Sequence, residues 1–287
     1  MTYGPNPWQQ AHWDWRAAGN FICGGAGSGL IVFAAFSGVQ GLALAGLILG
    51  GLALIGLGLF CVWLEIGRPW RALNVFFNPR TSWMSREAIT ALLLFPAGLA
   101  AAAGLAAFVP VTALLALFFL FCQGRMLRAA RGIPAWREPL ASSLIAITGL
   151  TEGAGLFLLS APLHQAGTRA LLVLFGTLLL ARVLLWTAYR RRIVGRVAPR
   201  AQVALDAAGR WLQFAGTLLP LLLITLVAAA APAGAALALL LPLAGIAAVL
   251  AGSFMKYTLI TRAAFNQGFA LKHLPVRGVP HEVQPWA

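Results

Sequence analysis

The chain has 287 residues, of which 60% are hydrophobic and only 10% are charged, and its mean hydropathy is +0.84. Soluble domains carry about a quarter charged residues, so this composition excludes a soluble globular domain and also a disordered chain. The net charge of +14 would favour a nucleic-acid partner in a soluble protein, but orientation in the bilayer explains a basic excess better in a membrane protein.

Eight apolar runs follow one another along the chain, each close to the length of about 20 residues that a bilayer-crossing helix needs. The sequence therefore predicts an all-α integral membrane protein with eight transmembrane helices in two adjacent four-helix bundles. We expect an N-terminal arm over residues 1–16, the membrane domain over 17–260 and a C-terminal arm over 261–287. The predicted spans cover residues 17–39, 43–64, 86–108, 110–129, 141–160, 168–189, 209–231 and 233–260.

The basic residues lie almost entirely on one side of these spans. Of the 21 lysines and arginines, all but Arg169 and Arg182 fall in the termini, in the long links 65–87, 124–140 and 190–210, or at the same ends of the spans. An even number of helices places both termini on this basic face, and the positive-inside rule assigns such a face to the cytoplasm. The sequence therefore predicts a multi-pass protein of the bacterial cytoplasmic (inner) membrane, with both termini cytoplasmic.

The chain lacks the residue patterns that hold metal centres. The three cysteines are far apart, which predicts no disulfide framework, no zinc site and no iron–sulfur cluster within this chain. A membrane haem needs axial ligands inside the spans, but all the histidines fall outside them, so we expect no haem and no other metal site. Electron transfer would then need a diffusible carrier and a second subunit. The histidines are His12, His164, His273 and His281.

Polar and aromatic side chains gather at the basic ends of the first four spans, where they predict a pocket at the membrane rim. A quinone suits such a pocket, because its ring is flat and apolar while its oxygens need hydrogen bonds and protons. Glu65 and Glu87 are the expected proton-transfer groups, and Arg68 or Arg86 would hold one carboxylate ionised or polarise an oxygen. Interfacial anchoring by Trp and Arg, and capping of the third helix by Ser85, are the structural alternatives. The expected quinone-binding residues are Arg16, Asn20, Trp63, Arg68, Trp83, Ser85, Arg86 and Gln123.

Two ionisable residues lie deep inside predicted spans, where charged groups are costly. Glu152 is near the middle of the fifth span, and Arg182 is about seven residues from the charged end of the sixth. Their depths differ by roughly 6 Å, a gap that an arginine side chain spans. The pair is interpreted either as a structural ion pair or as part of a proton path.

The sequence resembles the polysulfide reductase NrfD-type and DMSO reductase anchor family of membrane subunits. The resemblance rests on residues 13–16 (WDWR), 64–74 (LEIGRPWRALN) and 82–87 (SWMSRE), and it extends over most of the chain. The segments 256–258 (KYT), 267–271 (QGFAL) and 274–278 (LPVRG) are similar to anchors of molybdopterin complexes, particularly those of the phenylacetyl-CoA:acceptor oxidoreductase type.

The resemblance implies a haem-free subunit that is not catalytic alone. Such a subunit exchanges electrons between a quinone or quinol (menaquinone or ubiquinone) and a ferredoxin-like subunit with four [4Fe–4S] clusters, which serves a molybdopterin catalytic subunit. The carboxylate of the family's Ser-x-Glu segment matches Glu87. In the DMSO reductase anchors a histidine linked to quinol binding precedes the Gly-x-Pro glycine by two residues, and Glu65 occupies that position here.

Two alternative functions remain open at this stage. A secondary transporter would use Glu152 and Arg182 to line a substrate or proton path near the midplane. A purely structural anchor would contact its partner subunits and membrane lipid but would bind no quinone.

Overall fold

The computed structural model of the chain describes residues 3–164, 169–229 and 234–269. Within these ranges, eight helices are long and apolar enough to span a membrane, and the only strand-like pairing is an isolated bridge between Gln9 and Phe265. This confirms the predicted all-α membrane fold. The helices α1–α8 cover Trp15–Phe36, Gly41–Trp63, Trp83–Ala102, Phe108–Ala129, Pro139–Leu159, Arg169–Ile193, Pro199–Ala229 and Gly234–Tyr257, and α8 continues through the π-helical turn Thr258–Arg262.

The eight helices form the two predicted four-helix groups. In the first group α1 packs against α2 and α4, and α3 packs against both α2 and α4. In the second group α5 packs against α6 and α8, and α7 packs against both α6 and α8. Helix α5 also runs along α1 and α4, so it joins the two groups into one helical core.

Glycines allow the closest of these contacts, between α1 and α5. A Cβ atom added to Gly149 would lie 3.0 Å from the carbonyl oxygen of Gly25, and one added to Gly153 would overlap the backbone of Gly29. Because a side chain at either position of α5 would force the helices apart, these small residues fix the distance between the two bundles.

The basic face is more helical than the sequence predicts. Helix α7 begins at Pro199 rather than at residue 209, since a proline at the first helical position costs no backbone hydrogen bond and the polar first turns remain helical. Helix α6 also continues to Ile193, so the expected long link 190–210 is reduced to residues 194–198. Gly195, with a φ of 72°, provides the left-handed residue that turns the chain there.

The third span is also displaced from its predicted position. Helix α3 covers Trp83–Ala102 rather than residues 86–108, and it begins where the Ser82 hydroxyl accepts a hydrogen bond from the Ser85 N–H at 3.3 Å. The predicted boundaries at residues 168, 231 and 233, and the C-terminal arm beyond residue 269, lie outside the described residues. The same is true of His273, His281 and the segment 274–278.

The two ends of the described chain meet at the same face of the bundle. The N–H of Gln10 donates to the carbonyl oxygen of Ala264 at 2.9 Å, and the N–H of Asn266 donates to that of Trp8 at 3.0 Å. This places the N-terminal arm against the end of α8, as an even number of membrane crossings requires.

Candidate functional site

A cavity of about 590 Å³ lies between α2, α3 and the 3-10 helix Pro69–Phe77, close to the basic face. Asn20 of α1 and Glu87 of α3 bring the amide and carboxyl groups to its lining, and the remaining walls are almost entirely apolar. Three wall residues are exposed on the outside of the bundle: Trp63 (42%), Leu73 (59%) and Leu92 (63%). The cavity therefore opens sideways, towards the region that lipid occupies.

Glu87 is the titratable group of this cavity. Its side chain lies in the first turns of α3 and is buried, with a relative exposure of 5%. Its Oε1 atom accepts a hydrogen bond from Nδ2 of Asn20 at 3.2 Å, and the Gln123 amide of α4 also lies close enough to interact with the carboxylate. Among the described residues, no Lys, Arg or His forms an ion pair with Glu87. A buried carboxyl with amide neighbours and no counter-ion is suited to taking up and releasing a proton.

A π-helical turn in α1 positions Asn20. The turn spans Asn20–Gly24, and such wide turns often occur at functional sites. The Asn20 backbone packs against Gly58 of α2, where an added Cβ would lie 3.1 Å from the Asn20 Cα. The Asn20 carbonyl oxygen accepts a hydrogen bond from Nε2 of Gln123 at 2.9 Å. Gln123 therefore supports Asn20 from behind and does not itself line the cavity.

A second group of charges lies at the surface beside the cavity mouth. Asp14 caps α1 and forms an ion pair with Arg16 at 2.9 Å, and Arg16 also donates to the carbonyl oxygen of Leu64 at 3.0 Å. The hydrogen bond from Arg16 lowers the pKa of Asp14. Burial, together with the negative charge of Asp14, raises the pKa of the neighbouring Glu65. Glu65 is half-buried and adjoins Ile66 of the cavity wall, so it lies near the mouth rather than inside.

Trp83 and Arg86 lie away from the cavity, where they support the loop before α3. The Arg86 guanidinium stacks over the Trp83 ring at 4.1 Å and donates to the carbonyl oxygens of Pro79 and Arg80, both at 2.8 Å. Arg125 of α4 lies over the same ring at 4.9 Å. These contacts join α3, α4 and the preceding loop, which is the anchoring role that the sequence left open.

The expected quinone-binding set is thus divided by the structure. Asn20, Trp63 and Glu87 line one cavity. Ser85 is buried but does not line the cavity, and it does not cap α3, because Ser82 has that role. The others lie outside the cavity lining: Arg16 and Glu65 beside the mouth, Gln123 behind Asn20, Arg68 on the exposed surface, and Trp83 and Arg86 towards the loop.

A buried group of charges lies between the two bundles. Glu152 of α5 forms an ion pair with Lys256 of α8, with 2.5 Å between Oε2 and Nζ, and both side chains are fully buried. Lys256 also donates to the carbonyl oxygen of Phe21, in the π-helical turn of α1, at 2.8 Å. Helices α1, α5 and α8 therefore meet at one ammonium group.

Arg182 belongs to this group but does not form the predicted bridge to Glu152. It donates through Nη1 to the carbonyl oxygen of Ala248 at 3.1 Å, and through Nη2 to that of Gly216 in the π-helical turn of α7. Glu152 and Arg182 both approach Gly252, where an added Cβ would be 2.7 Å from Oε1 of Glu152 and 3.1 Å from Nη1 of Arg182. The two side chains are thus neighbours, although no ion pair joins them directly.

Sequence reasoning missed Lys256, because it counted this residue among the charges of the basic face. The signal was its position inside the eighth span, with apolar residues on both sides and Arg262 as the first charge after it. A lysine placed before the end of a membrane span is costly and calls for a buried partner.

No group of three or more His, Cys, Asp or Glu side chains in the described part of the chain could hold a metal ion. The chain matches no protein-family model and no curated protein.

Proposed function

We propose that this chain is the quinone-reactive membrane anchor of a molybdopterin and iron–sulfur oxidoreductase complex. The observation that carries the proposal is the buried carboxyl of Glu87 at the inner end of an apolar cavity that opens towards lipid. A volume of about 590 Å³ accommodates a substituted ring, and the side opening allows an isoprenoid tail to remain in the bilayer. The resemblance of residues 64–74 and 82–87 to anchor subunits supports the same function.

Reduction of a quinone to a quinol takes up two electrons and two protons, and oxidation releases them. In the proposed reaction Glu87 exchanges one proton with the quinone oxygen that reaches the inner end of the cavity. Asn20 fixes the orientation of that carboxyl through its hydrogen bond to Oε1. Glu65, near the mouth, transfers the second proton between the other quinone oxygen and the basic face, and the two electrons pass to or from a docked iron–sulfur subunit. The chain does no substrate chemistry alone.

The basic face is the proposed docking surface for the ferredoxin-like subunit with four [4Fe–4S] clusters, which in turn carries the molybdopterin subunit. Exposed arginines in the loops, including Arg71, Arg80 and Arg131, would contact acidic groups of that partner. The cavity lies close to this face, so a docked cluster would approach a bound quinone. Purification of the native complex tests this assignment, because iron, molybdenum and both subunits should accompany the chain.

Glu87→Gln is the direct test of the quinone site. The variant keeps the side-chain shape and the contact with Asn20 but cannot release a proton, so quinone-linked turnover should fall about 10²–10⁴-fold. Assembly and activity with an artificial dye should remain. Thr90→Ala is the matched control, because Thr90 lies one turn further along α3, is buried, donates to the Arg86 carbonyl oxygen of its own helix, neighbours Cys122 of α4 and does not line the cavity. Unchanged quinone turnover in Glu87→Gln would favour a purely structural anchor.

The proposed location is the bacterial inner membrane, with the basic face and both termini in the cytoplasm. Fusion of a reporter that is active only in the cytoplasm to the C-terminus tests this orientation. Activity of this reporter agrees with the proposal. Activity of a second reporter, one that functions only outside the cytoplasm, would contradict it.

The buried Glu152–Lys256–Arg182 group favours two other candidates, a transporter and a proton path within the complex. Three fully buried ionisable side chains connect α1, α5, α6 and α8, and such groups often mark ion pathways. A transporter should purify without an iron–sulfur protein. A proton path within the complex predicts that Glu152→Gln lowers the number of protons moved per quinone in vesicles, and an unchanged ratio at full activity would leave the group with a structural role.

A further inference from the structure

A second polar pocket lies in the groove between α6 and α7, at the basic end of the second bundle. It has a volume of about 420 Å³ and is lined from α6 by Trp186, Thr187, Arg190 and Arg191, and from α7 by Asp206, Gly209, Arg210 and Gln213. Gly209 forms part of its floor, because an added Cβ there would lie 2.7 Å from Nε1 of Trp186. The absence of a side chain at Gly209 thus allows α6 and α7 to approach each other beside the pocket.

The pocket carries an excess of positive charge. Three guanidinium groups line it, but only one carboxylate does. Asp206 pairs with Arg190, whereas the side chains of Arg191 and Arg210 form no hydrogen bond or ion pair with other residues of the described chain. Nη1 of Arg190 is also buried without a partner. With the Gln213 amide beside them, these donors form a site that is complementary to a phosphate group. The Thr187 hydroxyl contributes no donor, because it already donates to the Leu184 carbonyl oxygen at 2.9 Å.

The surroundings of the pocket are those of a lipid interface. Trp211, next to Arg210, is 60% exposed, which is typical of an aromatic residue at the level of the lipid head groups. Leu184 on α6 and Phe214 on α7 are exposed by 67% and 63%, and each lies one to two turns deeper in the membrane than the arginines. A ligand with a phosphate at the pocket and hydrocarbon chains below it would match both surfaces.

We propose that this pocket binds the head group of an anionic phospholipid, with its acyl chains along the exposed faces of α6 and α7. Basic pockets between transmembrane helices are suited to such head groups. An acidic segment of a partner protein fits less well, because the lining residues lie on α6 and α7 rather than in the loop 194–198, and exposed apolar side chains follow them along the same helices. The site is distinct from the quinone cavity, which lies in the first bundle.

The test measures lipid retained by the full chain purified in detergent. Native mass spectrometry after exchange into mixed phosphatidylglycerol and phosphatidylcholine should show selective retention of phosphatidylglycerol. The double variant R191Q/R210Q should weaken that retention on the order of tenfold. R128Q/R200Q is the matched control, since it removes two exposed arginines of the same face outside the pocket. D206N should strengthen retention, because it removes the competing carboxylate.

Three results would overturn the proposal. An equal loss of phosphatidylglycerol retention in both double variants would mean that the lipid is held by the overall positive charge of the face and not by this pocket. Displacement of the lipid by excess inorganic phosphate would identify a site for free phosphate instead. Retention that R191Q/R210Q leaves unchanged, in a variant with unaltered thermal unfolding, would remove the pocket from lipid binding altogether.

Discussion

Replacement of Lys256 by methionine tests the buried charge group most directly. Methionine fills a similar volume, but it removes the ammonium that contacts Glu152 at 2.5 Å and the Phe21 carbonyl at 2.8 Å. Breaking a buried ion pair from one side costs about 3–5 kcal/mol, since the remaining charge stays buried without its partner. Arg182 lies near Glu152 without touching it, so the loss should fall at the lower end of this range.

The double variant Glu152→Gln with Lys256→Met distinguishes the contribution of the ion pair to stability from other effects of the two substitutions. Both charges are then absent, so the double variant should be more stable than Lys256→Met alone, although it carries one more substitution. The free energy of unfolding in mixed micelles of detergent and SDS provides the measurement. The reasoning would be refuted if Glu152→Gln and Lys256→Met each lowered the free energy of unfolding by less than about 1 kcal/mol and their effects were additive in the double variant, because such small effects are typical of an ion pair exposed to water.

Three further predictions follow from separate parts of the molecule. Gly153→Val should prevent folding or separate the bundles, since the added side chain overlaps α1. Gly46→Val should be tolerated, because no atom lies within 4 Å of the Cβ added there. Expression level and size-exclusion profile distinguish the two variants. Trp83→Leu should lower the free energy of unfolding by about 1–2 kcal/mol, because the Arg86 and Arg125 guanidinium groups lose the ring over which they lie. The KM for quinone should stay unchanged, and a raised KM would show that Trp83 contributes to quinone binding. Glu65 has a pKa raised above 4.5, so the native state binds its proton more tightly than the unfolded state, and stability should decrease as the pH rises from 4.5 through the raised pKa. Glu65→Gln should remove that decrease, and an unaltered pH profile of unfolding would contradict it.

The apolar runs were sufficient to predict the helices, since a helix that crosses a bilayer must be apolar over most of its length. The apolar runs did not predict the start of α7 at the basic face, because the first turns after Pro199 are too polar to be recognised as part of a span. The lining of the cavity was predicted only in part. Asn20, Trp63 and Glu87 were expected there, but which other side chains reach the cavity depends on the helix faces that point towards each other. Periodicity did not indicate that Trp83 turns towards α4, and this contact decides that Arg86 cannot reach the cavity.

The π-helical turn of α1 explains how the cavity and the buried charges are joined. Asn20, its first residue, donates to Glu87 from its side chain, and the carbonyl oxygen of the next residue, Phe21, accepts from Lys256. The contact with α3 is made by the Asn20 side chain and the contact with α8 by a main-chain carbonyl oxygen, so one short segment contacts both helices. A wide turn leaves main-chain groups less strictly paired along the axis, and here one of them holds a buried ammonium. The same five residues therefore fix both the carboxyl of the proposed quinone site and the ion pair between the bundles, which is why neither can shift without moving α1.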